Sequence, residues 1–183
     1  MRPHQDEMET FDFASMYTTM DHEVIKELLD EYVDMVFTQE ATNNPSHKVL
    51  HLHKTGKPEW TPRKPATKTG KNNSTYTNQH ITGKDFKEWI HLLLDNLYVE
   101  VGEELFQQTI GIPMGTNSAP MIANIVCFMQ EFRYMRMLAS NVEHVGDPQW
   151  VLLRQLSLNT RFIDDLLNLC VPGNVMRGIV LEI

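Results

Sequence analysis

Leu156–Val171 reads LSLNTRFIDDLLNLCV, two short apolar arms around the adjacent acids Asp164 and Asp165. Carboxylates beside Phe162-Ile163 and Leu166-Leu167 are poorly placed for a core, because like charges near apolar surface are costly unless neutralised. A tight hairpin with the acids at its tip fits best, although periodicity alone also allows a short helix. A divalent cation resolves the charge problem: Mg²⁺ takes hard oxygen ligands, typically one or two carboxylates plus phosphate. The bland alternative is an exposed turn, where Asp is common.

Asp12 shifts that balance. It lies between Phe11 and Phe13 in Thr10–Thr19 (TFDFASMYTT), which predicts a short strand running into a turn that could lie beside the hairpin. Three carboxylates from two neighbouring strands can hold two metals about 3.5–4 Å apart, as phosphoryl transfer to a nucleotide needs. Five residues on, Tyr17 is either a core aromatic or a ring that packs under a bound sugar. A third element, Gly111–Pro120 (GIPMGTNSAP), places glycines ahead of a helix N-terminus. Such a backbone can approach a ligand closely and favours phosphate.

In this order the three segments are recognisable. FDFASMYTTM resembles motif A of reverse transcriptases, QTIGIPMGTNSAP resembles motif B, and RFIDDLLNL resembles motif C. The wording with MYTT, FQQTIGIPMGTN and RFIDD is similar to Penelope-like and telomerase-related eukaryotic retroelement enzymes. The resemblance covers about 11–37 and 82–171 and implies a polymerase palm that carries out RNA-templated DNA synthesis.

It further implies that Asp12 and Asp164 bridge two Mg²⁺ ions, with Mn²⁺ as a substitute, and that Asp165 assists. Tyr17 falls at the position that excludes a ribose 2′-hydroxyl, and Gly115 would line the nascent base pair. Met114 stands where many relatives have Gln, so that side-chain hydrogen bond to the nucleotide is absent. Gln108, or Gln107, is expected either to contact template or nucleotide or to be an exposed strand residue. The implied partners are an RNA template, a DNA primer and deoxynucleoside triphosphates. Against the family pattern the upstream fingers strands and the thumb are missing, so a partial domain is expected. A catalytically inactive remnant and a domesticated nucleic-acid-binding or scaffolding module are the competing readings.

The rest of the chain is read around these motifs. Its 183 residues suit one domain, and 42% apolar residues argue against wholesale disorder. The net charge of -8 would by itself speak against a nucleic-acid partner, but it hides a pattern. Residues 1–37 balance at -8, residues 38–87 at +6 and residues 88–183 at -6. The acids of the first block are read as metal ligands and the solvated face of a helix.

That helix is expected over 22–37, capped by Asp21, with Val24, Ile25, Leu28, Leu29, Tyr32, Val33 and Val36 on one face. Residues 38–80 read as a loop-rich basic insertion with one short hairpin near Lys48–His53 and a mobile tip around 60–75. Its Lys54, Lys57, Arg63, Lys64, Lys68 and Lys71, with Trp60 and Tyr76 interleaved, suit either nucleic-acid contact or a solvated loop. His47, His51 and His53 would need further N or S ligands to hold zinc, and neither Cys127 nor Cys170 is close in sequence.

Thr82 and Asp85 have capping-box form and open a helix carrying Phe86, Trp89, Ile90, Leu93, Leu94 and Leu97 on one side. A hairpin is expected from 97–101 and 105–110 through Gly102, then a helix over 120–139 and a polar linker over 140–150. No stretch reaches the ~20 apolar residues of a membrane span, and no signal peptide is evident, so an intracellular site, nucleus or cytoplasm, is expected. The expected fold is α+β: an antiparallel sheet from the Asp12 strand and the Asp164–Asp165 hairpin, backed by helices 22–37 and 120–139.

Overall fold

The computed structural model describes residues 8–12, 16–44, 48–53, 57–62, 78–112, 115–163, 165–169 and 171–182. Within them the chain is mixed α+β, with small antiparallel sheets and six helices.

The helical layer comes first in the folding logic. Strand β1 (Glu9–Asp12) and a single turn α1 (Met16–Thr19) lead into α2 (His22–Asn43). Asp21 caps α2 by accepting from Glu23 N–H at 2.7 Å, and Ile25, Leu28, Leu29 and Val33 of the expected stripe are buried, whereas Val24 is exposed. The helix continues six residues beyond the expected Phe37. Thr38–Asn43 contains neither Gly nor Pro, and only Pro45 enforces a stop.

The insertion therefore begins later than expected, and its described residues form more strand than its composition suggests. Strand β2 (Val49–His53) is not half of a local hairpin but the centre of a sheet, between β3 (Glu59–Thr61) and β4 (Asn78–Ile81). Burial of Val49 and Ile81 accounts for this, because a lone two-stranded ribbon buries too little to be stable. Trp60, expected as a base-stacking aromatic, instead meets Phe37 edge-on, ring centroids 4.8 Å apart. Most of the expected tip, with Arg63, Lys64, Lys68, Lys71 and Tyr76, lies outside the described residues, as do His47 and Lys54.

Helix α3 (Gly83–Asp95) opens on the expected capping box: Thr82 N–H donates to Asp85 Oδ2 at 2.8 Å, and Asp85 N–H to Thr82 Oγ1 at 3.2 Å. Its apolar stripe is buried only along one edge. Leu94 is enclosed and Ile90 partly so, while Phe86, Trp89 and Leu93 are exposed. Strands β5 (Tyr98–Val101) and β6 (Glu104–Gln107) form the expected hairpin, but its ladder ends at Gln107 and Ile110 bridges to Asp21 instead.

Helix α4 (Ala119–Ser140) follows, with Pro120 in its first turn; Ser118 supplies no side-chain cap. Its Ala119, Ile122, Ala123, Val126, Cys127 and Met129 pack with Ile25, Leu28 and Leu29 of α2, Leu94 of α3, and Ile112 into the main core. Two more helices were not anticipated: α5 (Pro148–Leu156), whose first turn falls inside the expected linker, and α6 (Gly173–Glu182).

Between them lie β7 (Thr160–Phe162) and β8 (Asp165–Asn168), which with β1 make a sheet in the order β1-β8-β7. Its inner face packs Phe11 and Leu166 against Tyr134 of α4, Leu152 and Leu156 of α5, Val171, and Met176 of α6. The layer behind the sheet is thus α4, α5 and α6; α2 packs on α3 and α4. No helix among the described residues is long and apolar enough to cross a membrane.

Candidate functional site

Antiparallel pairing places β1 alongside β8 with Thr10 opposite Leu167, Phe11 opposite Leu166 and Asp12 opposite Asp165. Side chains directly opposite share a face, and successive residues alternate faces. Phe11 and Leu166 therefore turn inward together, and Asp12 and Asp165 turn outward together. Strand β7 adds Phe162 opposite Asp165 and Thr160 opposite Leu167, extending the same outer face into an open groove.

Both carboxylates are exposed, and among the described residues no cation forms an ion pair with either. Like charges placed directly opposite across two strands destabilise a sheet. Asp164, the expected third member, lies outside the described residues; without it, no three His, Cys, Asp or Glu side chains converge on a metal position. Two solvent-facing carboxylates with no neutralising cation, one adjoining Asp164 in sequence, are hard-oxygen donors and fit Mg²⁺.

The hairpin carrying these acids is tight. Phe162 pairs with Asp165, so the loop is only Ile163 and Asp164. Ile163 adopts φ 56°, a left-handed conformation that is costly for a β-branched residue. Positive φ at the first loop residue is what two-residue hairpins demand, because it matches the strand twist. Arg161 reaches Glu131 of α4, with Nε 2.6 Å from Oε1.

The other expected residues fall nearby in different roles. Tyr17 is half-buried and packs against the main core, and its carbonyl accepts from Ile112 N–H at 2.8 Å. Gly111 N–H donates to the Met20 carbonyl at 2.7 Å, so the Gly111 loop is stitched to the turn after Asp12. Gly111 sits at φ 88°, and a β-carbon there would collide with the Tyr17 carbonyl. The close approach expected of this glycine is therefore to its own chain. Gly115 differs: it is exposed at φ 92° with open space around it, leaving it free to face a ligand.

Gln108 is half-buried, and its side-chain amide donates to the Ile110 carbonyl at 2.9 Å; Gln107 donates to the Asp95 carbonyl at 2.8 Å. Both are engaged locally. Met114 lies outside the described residues. Sequence reading missed His22, whose buried Nε2 stands 2.8 Å from the Gly111 carbonyl, 89 positions away. A contact of that span leaves no mark in local pattern.

The acidic face of α2 is solvated as expected, with Glu23, Glu27 and Asp34 mostly exposed, and it also carries a set of ion pairs. Lys26 is nearly buried between Asp95 at 2.6 Å and Glu23 at 2.7 Å. Its hydrogen bonds to Asp95 and then Glu23 raise its pKa, and the bond from Lys26 lowers that of Asp95. Arg133 of α4 meets Glu27 at 2.8 Å and also binds Glu31, which raises its pKa further. Lys87 pairs with Asp34, and His91 faces Asp30. Helices α3 and α4 present cations to α2, so its acidity is largely structural.

Comparison of the chain with protein-family models, curated proteins and solved structures finds no match.

Proposed function

We propose that the chain is the centre of a reverse-transcriptase-like palm that catalyses RNA-directed DNA synthesis. The observation that carries this reading is the register pairing Asp12 with Asp165 at the mouth of a hairpin whose loop contains Asp164. Motif A and motif C were singled out from sequence alone, 152 positions apart at their first acids (164 minus 12). Adjacent strands with outward-facing acids are what their joint use would require.

In this reading Asp12, Asp164 and Asp165 hold the metal pair. When bound, Mg²⁺ supplies Lewis acidity toward the reacting oxygens and offsets the charge of the triphosphate. The reaction is attack of a primer 3′-hydroxyl on the α-phosphate of a deoxynucleoside triphosphate, forming the new phosphodiester as the bond to pyrophosphate breaks. The protein's own part is orientation and charge placement. Sheet β1-β8-β7 fixes the acids, and its open outer groove, lined by Thr10, Thr160 and Phe162, is the side from which substrate approaches. Tyr17 is assigned the sugar gate, and Gly115, beside Met114, the backbone under the nascent base pair. Gln108, bonded to its own strand end, orders that loop rather than reading template. The working location is the nucleus or cytoplasm, where RNA templates and deoxynucleotides occur together.

Extension of a DNA primer on an RNA template with Mg²⁺, wild type against Asp165→Asn, tests the reading. Extension lost in the variant is the expected result. A folded wild-type protein that extends nothing overturns it, and a salt-sensitive gel shift persisting in that case points to a binding module.

A further inference from the structure

We propose that Arg161 is a positioning residue that sets the acidic turn for metal binding from helix α4. This rests on the nucleotidyl-transfer reading above. Arg161 lies on the inner face of β7, opposite Leu166, with its side chain only 10% exposed. Each of its nitrogens is used. Nε donates to Glu131 Oε1 at 2.6 Å and Nη2 to Glu131 Oε2 at 3.3 Å, a two-pronged grip on one carboxylate. Nη1 donates to Asn124 Oδ1 at 3.1 Å and to the Ile163 carbonyl at 2.6 Å, and Nη2 also reaches the Asn124 carbonyl at 3.3 Å.

Two consequences follow from where those bonds end. The Ile163 carbonyl belongs to the peptide that joins Ile163 to Asp164, so Arg161 holds the link leading directly into the acidic pair. Ile163 is also the only non-glycine residue with positive φ among the described residues. Such a conformation persists only where its surroundings over-determine it, and here a charged donor and the main core do so. The second consequence is electrostatic. Glu131 neutralises the guanidinium on the inner face, so the cation nearest the turn in sequence does not quench Asp12 and Asp165 outside.

Asn124 and Glu131 lie seven positions apart on one face of α4, the helix that begins at the Gly115 loop. The turn and that loop are thus mounted on one rigid element. A lysine would keep the charge but could not span Glu131, Asn124 and the Ile163 carbonyl together, because it lacks the planar fork.

The test compares wild type, Arg161→Lys and the milder Glu131→Gln below their melting temperatures. Supporting positions of metal ligands are typically worth 10–100-fold, so an order-of-magnitude rise in the Mg²⁺ concentration for half-maximal extension is expected. Primer–template affinity by fluorescence anisotropy stays unchanged, and Mn²⁺ binding followed by EPR weakens by about tenfold in Arg161→Lys. A lower melting temperature with unaltered Mg²⁺ midpoint and Mn²⁺ affinity overturns the proposal, leaving Arg161 a fold stabiliser. If wild type neither extends primers nor binds Mn²⁺ through Asp12 and Asp165, it is the nucleotidyl-transfer reading that fails. Arg161 placement is then read separately from amide exchange at 163 and 165, and exchange unaltered in Arg161→Lys overturns it as well.

Discussion

Among the described residues there are two three-stranded antiparallel sheets, β1-β8-β7 and β3-β2-β4, and each carries a cross-strand row that includes ionisable side chains. In the first the row is Asp12, Asp165 and Phe162; in the second it is His80, His51 and Glu59. The second row sets unlike groups side by side. The two imidazoles stack with centroids 4.6 Å apart, and an acid lies opposite one of them. The first row contains like charges and no described cation partner. Two three-stranded antiparallel sheets therefore differ in whether like charges stand directly opposite one another.

Breaking the first row has the largest expected effect. Metal ligation is worth several kcal/mol of transition-state stabilisation, so Asp12→Asn or Asp165→Asn lowers extension by at least about 100-fold in steady-state assays. His51→Ala, breaking the second row, leaves the extension rate within about threefold; a loss as large as that of Asp165→Asn would erase the distinction.

Next comes the packing beneath each row. Leu166→Ala and Ile81→Ala each cost about 2–5 kcal/mol in denaturant unfolding, because both side chains are buried. Hydrogen exchange sharpens this result: Leu166→Ala exposes the β8 amides first, and Ile81→Ala those of β2.

A smaller effect belongs to the charge repulsion itself. Without divalent cations, Asp12→Asn stabilises the protein by about 0.2–1 kcal/mol through relief of the opposed pair, whereas Glu59→Gln does not. Adding Mg²⁺ raises the melting temperature of wild type and not of Asp12→Asn. Equal thermal shifts in the two proteins would count against the metal assignment.

The smallest effect is on pH dependence and lies outside both sheets. The folded pKa of Asp95 is lowered by Lys26, so the pair adds stability above the carboxylate range that is lost as pH falls through it. The raised pKa of Lys26 makes its share present at neutral pH and lost only as pH climbs through the lysine range. Lys26→Met therefore flattens the acid limb of a stability–pH curve measured by thermal melting. An unchanged limb would show the pair to be energetically silent, as many exposed ion pairs are.

Much of the helical layer was legible in the sequence because caps and stripes are local. Asp21, the Thr82–Asp85 box and the 3–4 spacing of Ile25, Leu28 and Leu29 all stand where pattern predicts. Helix α5 carried a readable signal that composition masked: Asp147 stands at the N-cap position, although its side chain makes no cap bond, and proline follows in the first helical turn. The insertion misled in the opposite direction. Its Gly, Pro and Asn content reads as loop, yet β4 returns from outside the apparent hairpin to pair with β2. Pairing across that separation is decided by which apolar residues, here Val49 and Ile81, can be buried together.

The candidate site divides along the same line. Sequence alone singled out Asp12, Asp164 and Asp165 as candidates, because charges embedded in apolar runs need a reason there. A tight hairpin was likewise expected from apolar arms around the acids, but Asp165 belongs to strand β8 opposite Phe162 and not to the tip. Which carboxylates face one another was not legible, since a one-residue slip in the β1–β8 register would turn Asp12 inward and Phe11 outward. Nor could spacing assign Arg161 to Glu131, His22 to the Gly111 carbonyl, or the acids of α2 to Lys26 and Arg133. Each of those choices depends on how α4 and α3 pack against α2 and the sheet. Packing is a property of the whole folded chain, so only the tertiary structure could settle them.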